Sequence, residues 1–200
     1  MRMNNPLFSI IVVCYERYYN VQCLIYSLLC QKFHNFEVIL IHDGYNEKHE
    51  KIIKPFLSDP RFKYLFTEKR YNDWGMTLRN KGIEIAQGKW IINTNDDNYY
   101  TPNFLDEVHN TINSNPESNF IYYDCVLSHN NQLNHNKKDY GLLIPEIKHC
   151  YIDMGQFVVK KELISKYKFQ SVAPADGLLI EEMKKEIIPN YINKILFVHN

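Results

Sequence analysis

No sign of charge dominates this chain: Lys plus Arg and Asp plus Glu number 23 each among its 200 residues. A polyanion such as DNA as main partner requires an excess of Lys and Arg, so that class is excluded, while a local basic pocket is not. Cysteine is sparse and scattered. Cys14, Cys23, Cys30, Cys125 and Cys150 form no C-x-x-C pair and are odd in number. This predicts reduced thiols in a cytoplasmic protein, several of them core-filling, and no disulfide framework. No stretch approaches the ~18 apolar residues of a membrane span. The apolar run Phe8 to Cys14 is too short for a secretory leader and lacks a basic n-region and a cleavage site. These absences predict a soluble protein that is not secreted by itself. A hydrophobic content of 45% suffices for a core, and the length fits one α/β domain.

Phe8 to Tyr15 is a near-continuous apolar run rich in β-branched residues, the mark of a strand buried on both faces of a parallel sheet. Val21 to Gln31 carries Leu24, Ile25, Leu28 and Leu29 at helical period. Phe36 to Ile41 reads as a second buried strand, Glu47 to Leu57 as a helix, and Phe62 to Phe66 as a third strand. Met76 to Ala86 reads as a helix closed by Gln87-Gly88, and Trp90 to Thr94 as a fourth strand. Strand and helix alternating at this spacing predict right-handed βαβ units and a mostly parallel central sheet flanked by helices. Pro102 opens the next helix, with Thr101 as its N-cap. Phe120 to Leu127 and Gly155 to Lys160 are strands, Lys161 to Tyr167 and Gly177 to Lys185 helices, and Asn193 to Val198 a last strand. Ser128 to Lys138 is polar and without period, which predicts a mobile loop reaching to about Gly141.

In open parallel sheets, ligands bind beyond the C-terminal ends of the strands. The polar and acidic residues of this chain fall there: Tyr15-Glu16-Arg17, His42-Asp43-Gly44 and Asn95-Asp96-Asp97-Asn98. Adjacent carboxylates repel each other unless a cation is present, and hard oxygen ligands suit Mg²⁺ or Mn²⁺ with substrate phosphates. Asn-Asp-Asp-Asn is equally good turn chemistry, and Asp43-Gly44 is a common turn dipeptide. Arg79 and Lys81 cannot share a helix face, so a buried guanidinium near Asp96 or Asp97 is one reading and a solvated stripe the other. Asp176 stands before a helix, where it is either an N-cap or a general base.

Together these residues resemble the family 2 glycosyltransferases of the GT-A fold. Ser9 to Arg17 is similar to that family's opening "S-I-I-x-x-x-Y-N-R", with Glu16 for Asn; Ser27 to Gln31 is similar to "S-L-L-x-Q". Glu37 to Gly44 resembles "E-I-I-V-V-D-D-G", with His42 in place of the first acid. Gly75 through Arg79-Asn80-Lys81-Gly82-Ile83 to Ile91 resembles "G-x-x-x-A-R-N-x-G-I-x-x-A-x-G-x-Y-I". Asn95 to Asn98 with Pro102 stands where the family carries its acidic metal motif, in a version similar to the "T-D-D-N-x-Y-x-P" of spore-coat polysaccharide members. Asn93 takes the place of an earlier acid, and Ala175-Asp176-Gly177-Leu178 that of the late "E-D" element.

The resemblance implies one glycosyltransferase domain over residues 1–200, with residues 1–105 as the nucleotide-sugar and metal half and 106–200 as the acceptor half. It implies a nucleotide-diphosphate sugar donor, a glycan or glycoconjugate acceptor, and Mn²⁺ or Mg²⁺. Tyr15, Asp43, Arg79 and Asp96 are then the substrate-binding candidates, Asp97 and His199 the metal ligands, and Asp176 the catalytic base of an inverting transfer. At the C-terminal end of the chain, a solvated, frayed terminus is the other reading of His199. A sugar-nucleotidyl transferase is the rival enzyme, but Tyr15 to Asn20 lacks the glycine-rich loop such enzymes carry. A non-catalytic nucleotide-sugar or carbohydrate-binding domain is the rival of another class.

Overall fold

The computed structural model describes residues 5–130, 138–171 and 175–200. Nine strands form one sheet: β1 (Phe8–Cys14), β2 (Phe36–His42), β3 (Phe62–Phe66), β4 (Trp90–Asn95), β5 (Tyr99–Tyr100), β6 (Phe120–Asn130), β7 (Lys138–Leu143), β8 (Phe157–Lys160) and β9 (Pro189–His199). Six α-helices accompany them: α1 (Asn20–Leu29), α2 (Glu47–Ile53), α3 (Met76–Ile85), α4 (Phe104–Ser114), α5 (Lys161–Ile164) and α6 (Ala175–Met183). The sheet runs β3-β2-β1-β4-β8-β6-β9-β5, with β7 paired to β6.

The first four strands are parallel to one another, and every residue of β1 and β2 is buried. Successive side chains of a strand leave opposite faces. Phe8, Ile10, Val12 and Cys14 therefore meet Leu24, Ile25 and Leu28 of α1 and Phe104, Leu105 and Val108 of α4. Ile11 and Val13 meet Met76, Leu78 and Ile83 of α3 and Leu179, Ile180 and Met183 of α6. A run with no polar alternation is what two buried faces require.

The second half changes direction. β8 enters antiparallel between β4 and β6, and β6 pairs in parallel with β9 through register shifts at Tyr123–Cys125. The expected mobile loop is corrected at both of its ends. Ser128 pairs with Tyr140, His129 with Asp139 and Asn130 with Lys138, so β6 and β7 form a hairpin. Backbone hydrogen bonds, which polar side chains do not oppose, extend the ladder; residues 131–137 lie outside the described residues. The helix expected from Pro102 begins two residues later, at Phe104, with Asn103 at the N-cap. Pro102 and Asn103 form a turn, while the buried Gln31 side chain donates to the Thr101 carbonyl at 2.8 Å and accepts from the Leu105 amide at 3.0 Å. The family-like Gln31 thus fastens α1 to α4.

A polar lock closes the N-terminal ends of the strands. Glu37, buried on β2, accepts from Ser9 Oγ and the Gln87 amide, each at 2.6 Å, and from Lys63 Nζ at 2.7 Å. These partners hold its carboxyl below the ordinary range against the opposing effect of burial. Gly88 is not a left-handed helix cap, since the helix ends at Ala86 in extended conformation. Its hydrogen faces β1 so closely that a Cβ would stand 2.5 Å from the Ser9 nitrogen.

Gly82 of α3 lies against β1 in the same way: a Cβ there would stand 2.5 Å from Ile11 Cγ2. Alanine favours an exposed helix by about 1 kcal/mol over glycine, but overpacking costs about 1–3 kcal/mol. Gly82→Ala should lower the denaturant midpoint, and Ile11→Val in the same chain should recover part of the loss.

His49 of α2 is fully buried, with Nδ1 3.3 Å from Tyr64 Oη. Burial pulls its pKa from 6.5 to about 4, with neighbouring His42 adding to the effect. Because the folded value is the lower one, this contribution to stability is complete above the unfolded pKa and is lost as pH falls toward the folded one. Unfolding free energies from pH 7 to pH 4 should show His49→Gln losing less stability across that window than the parent, by on the order of 2–3 kcal/mol.

Candidate functional site

The C-terminal ends of β1, β2 and β4 open on a cavity of about 540 Å³. Tyr15 and Arg17 line it from the segment after β1, Asp43 from the end of β2, Asn95 from β4, and Arg70, Asn72, Trp74 and Gly75 from the stretch that leads into α3. Tyr15 and Asp43 stand where the strand-end rule predicts.

Asp96 anchors the rim. It is fully buried; Oδ2 accepts the Tyr15 amide at 3.0 Å and Oδ1 accepts Arg17 Nη1 at 2.8 Å. Burial pushes its pKa up to about 6, against the lowering effect of Arg17. Arg17 Nε also lies 3.2 Å from Asp97 Oδ2. One half-exposed guanidinium therefore offsets the repulsion of the acid pair. Asp97 Oδ1 is buried and has no hydrogen-bond partner.

Asp43 spends its carboxylate on the facing segment: Oδ1 accepts the Tyr71 amide at 2.8 Å and Oδ2 the Asn72 amide at 2.9 Å. That segment is bent sharply, with Asn72 at φ 55°, Trp74 at φ 54° and Gly75 at φ 82°. Left-handed conformations at two non-glycine residues cost on the order of 1–3 kcal/mol each. Trp74 is also 71% exposed. Arg70 Cζ stacks 3.9 Å over the Tyr15 ring. With Arg17, it places two guanidiniums on the cavity wall.

His42, at the place of an acid in the family motif, is a neutral strut. Its Nε2 accepts the Glu16 amide at 3.3 Å while Nδ1 meets the Gly44 carbonyl at 2.8 Å, and burial lowers its pKa. It steadies Glu16 in a left-handed turn at φ 54°. Arg79 is buried, as one reading of it required. It donates from Nη2 to Asn95 Oδ1 at 2.6 Å and from Nη1 to the Trp74 carbonyl at 3.2 Å, bracing the rim beside the acid pair.

The C-terminus returns to the same rim. Tyr99 pairs with Val198, and the Asn200 amide donates to Asn98 Oδ1 at 3.3 Å, which ties the end of β9 to the segment after β4. His199 is the last residue of β9 and pairs with Leu127 of β6, so the reading of a frayed terminus is corrected: the β6 ladder holds it. Its Nε2 is 3.6 Å from Asp153 Oδ2, and its Nδ1 is buried without a hydrogen-bond partner. Asp176 falls in the first turn of α6, and its side chain lies outside the described residues.

Arg17, Arg70 and Asp153 were not singled out by the sequence. For Arg17 a signal existed, since it closes a strand-end triplet. Arg70 and Asp153 carry no period, motif or spacing that marks them.

Residues 9–169 match the family model described as "Glycosyl transferase family 2". An uncharacterized glycosyltransferase of Haemophilus influenzae is 29% identical over 195 residues, covering 92% of this chain and 74% of that protein. The putative colanic acid biosynthesis glycosyl transferase WcaA of Escherichia coli is 34% identical over 104 residues, covering 51% of this chain and 36% of its own length. Another Haemophilus influenzae relative, 32% identical over 117 residues, is matched over 38% of its length and 58% of this chain, so the curated relatives extend well beyond the matched region. Among solved structures, TarS 1-349 of S. aureus superimposes with a TM-score of 0.80 at 16% identity, over 96% of this chain and 60% of that one. The mannosyltransferase PcManGT of Pyrobaculum calidifontis, solved with GDP-Man and Mn2+, gives 0.74 at 11% identity, over 98% and 57%. At such identities the superpositions establish the shared GT-A fold. With a family model spanning most of its length, the chain belongs to glycosyl transferase family 2.

Proposed function

We propose that this domain transfers a sugar from a nucleotide-diphosphate donor to a hydroxyl of a glycan or glycoconjugate, with inversion at the anomeric carbon. The observation that carries the reading is the rim itself: Tyr15 and Trp74 as its aromatic floor and the guanidiniums of Arg17 and Arg70 line one cavity beyond three parallel strands, and Arg17 joins it to the acid pair. TarS has been solved with UDP-GlcNAc and PcManGT with GDP-Man, and the two guanidiniums here suit a diphosphate of that class.

The nucleoside lies along Tyr15 and the segment fixed by Asp43, with Asp96 holding the Tyr15 backbone in place. Arg79 keeps Asn95 and Trp74 in position. The residues present fit a divalent cation of the family's kind: Asp97 Oδ1 and His199 Nδ1 are both buried and without hydrogen-bond partners, on segments joined by the β5–β9 pairing. Asp153 faces the other ring nitrogen of His199, the arrangement that orients a ligating imidazole. An oxygen–nitrogen pair of this kind suits Mn²⁺ better than Mg²⁺, and the ion would supply Lewis-acid charge to the departing diphosphate. Asp176 takes the proton of the acceptor hydroxyl as its oxygen bonds to the anomeric carbon and the nucleoside diphosphate leaves. Residues 1–105 hold the donor and residues 106–200 shape the acceptor side. No helix among the described residues is long and apolar enough to cross a membrane, which agrees with action on an acceptor presented to the domain from solution or from a surface.

Thermal-shift measurements with nucleoside diphosphates and nucleotide sugars, with and without Mn²⁺, rank base and sugar together, because a ligand of the folded state raises apparent stability. Asp97→Asn should keep the fold and lose the Mn²⁺-dependent part of that shift; a shift unchanged from the parent removes Asp97 from the ligand set. Charged hydrogen bonds are worth roughly 1.5–3 kcal/mol, so Asp43→Ala should weaken nucleotide affinity about tenfold or more. For Asp176→Asn, nucleotide affinity should hold while transfer falls by roughly 10²-fold or more. Transfer within a few-fold of the parent would instead favour a domain that binds the donor without turning it over.

A further inference from the structure

Beneath the floor of the cavity, three side chains of unlike chemistry converge. Cys14 at the end of β1, His49 on α2 and Asp96 after β4 are all buried, and one ligand atom of each lies within 4.8 Å of the others. No other such group of three or more occurs among the described residues. His49 Nε2 is a buried polar atom with no hydrogen-bond partner. A buried, unsatisfied nitrogen calls for an explanation, and ligation of an ion is one.

We propose that Cys14, His49 and Asp96 form a binding site for a single thiophilic divalent cation of the Zn²⁺ type, separate from the hard-cation position at Asp97 and His199.

The donor set selects the metal. A thiolate, an imidazole and one carboxylate match Zn²⁺, which takes S, N and O ligands in tetrahedral geometry and often keeps a fourth position open. Mg²⁺ and Mn²⁺ prefer oxygen donors and gain little from sulfur. The outer shell is also in place, since Tyr64 Oη stands 3.3 Å from His49 Nδ1, the second ring nitrogen of the proposed ligand. A ligating histidine ordinarily has such a partner on its other nitrogen. Access comes through the cavity, because Cys14 lines its wall as well as the buried cluster. Ligation forms a metal–sulfur bond and sends the Cys14 thiol proton to solvent, with no change of oxidation state. Each carboxylate oxygen of Asp96 carries more than one acceptor site, so the Tyr15 amide can remain bound. The ion would also share with Arg17 the task of neutralising Asp96, loosening that guanidinium toward the cavity.

The test uses the full chain carrying Cys23→Ser, Cys30→Ser and Cys150→Ser, which removes the exposed thiols and leaves Cys14 and Cys125 buried in place. Zn²⁺ alone is titrated by calorimetry, and Co²⁺ is added in parallel to report thiolate ligation through its sulfur-to-metal charge-transfer absorption. The expected result is one equivalent bound, proton release to the buffer, a raised melting temperature and a charge-transfer band. Cys14→Ser should abolish the band, and His49→Gln should weaken Zn²⁺ affinity by about tenfold or more. Tyr64→Phe should weaken it by less than His49→Gln does. If Cys14→Ser fails to fold, His49→Gln carries the test by itself. No binding by the parent, or binding and absorption unchanged in these variants, overturns the proposal. Nucleoside-diphosphate binding with Mn²⁺ depends on Asp97 and is measured separately, so the outcomes of the two sites are independent.

Discussion

The rim is organised around a carboxylate that has no access to water. Taking Asp96 out of solvent costs several kcal/mol unless charge and hydrogen bonds are returned to it. Here they come from the Tyr15 amide and the Arg17 guanidinium, both from the segment that follows β1. The acid thus fixes where the chain must travel after β1, and with it the position of the aromatic floor. Arg17 is half exposed, so its attraction is screened and exchangeable, unlike the amide bond beneath it. The site has one permanent anchor and one removable counter-charge.

The rest of the site depends on how the second half of the chain returns. β8 runs antiparallel beside β4, and β9 then brings the last residues back along β6 to β5. That path carries Asp153 and His199 to a rim otherwise built from residues before 105. Both sides of the rim are therefore products of one continuous sheet.

Legibility followed the strength of the side-chain pattern. β1, β2 and β4 were readable to within a residue or so, because strands covered on both faces are apolar almost throughout; β3, at the sheet edge with Leu65 and Phe66 exposed, was legible from its aromatic and apolar residues. β5 spans two residues, too few for any period, and the hairpin of β6 and β7 extends through polar residues whose pairing is a matter of backbone alone. β9 was read at about half its length, since its first residues are mostly exposed and the register slips beside Asp124. In the site, Tyr15, Asp43 and Asp96 were legible from strand ends. The bond from Arg17 to Asp96 crosses 79 positions, and the contact between Asp153 and His199 depends on an antiparallel insertion; neither leaves a local trace.

The lock around Glu37 lies at the opposite pole of the sheet from the cavity. Ser9, Glu37, Lys63, Gln87 and Gly88 bind one another there, and none of them touches the rim described above. Fold maintenance and ligand choice are thereby assigned to opposite ends of the same strands, about seven residues apart along β1 and β2. Substitutions in the cavity wall leave the bonds around Glu37 untouched, so the N-terminal ends of the strands stay tied together whatever the cavity holds.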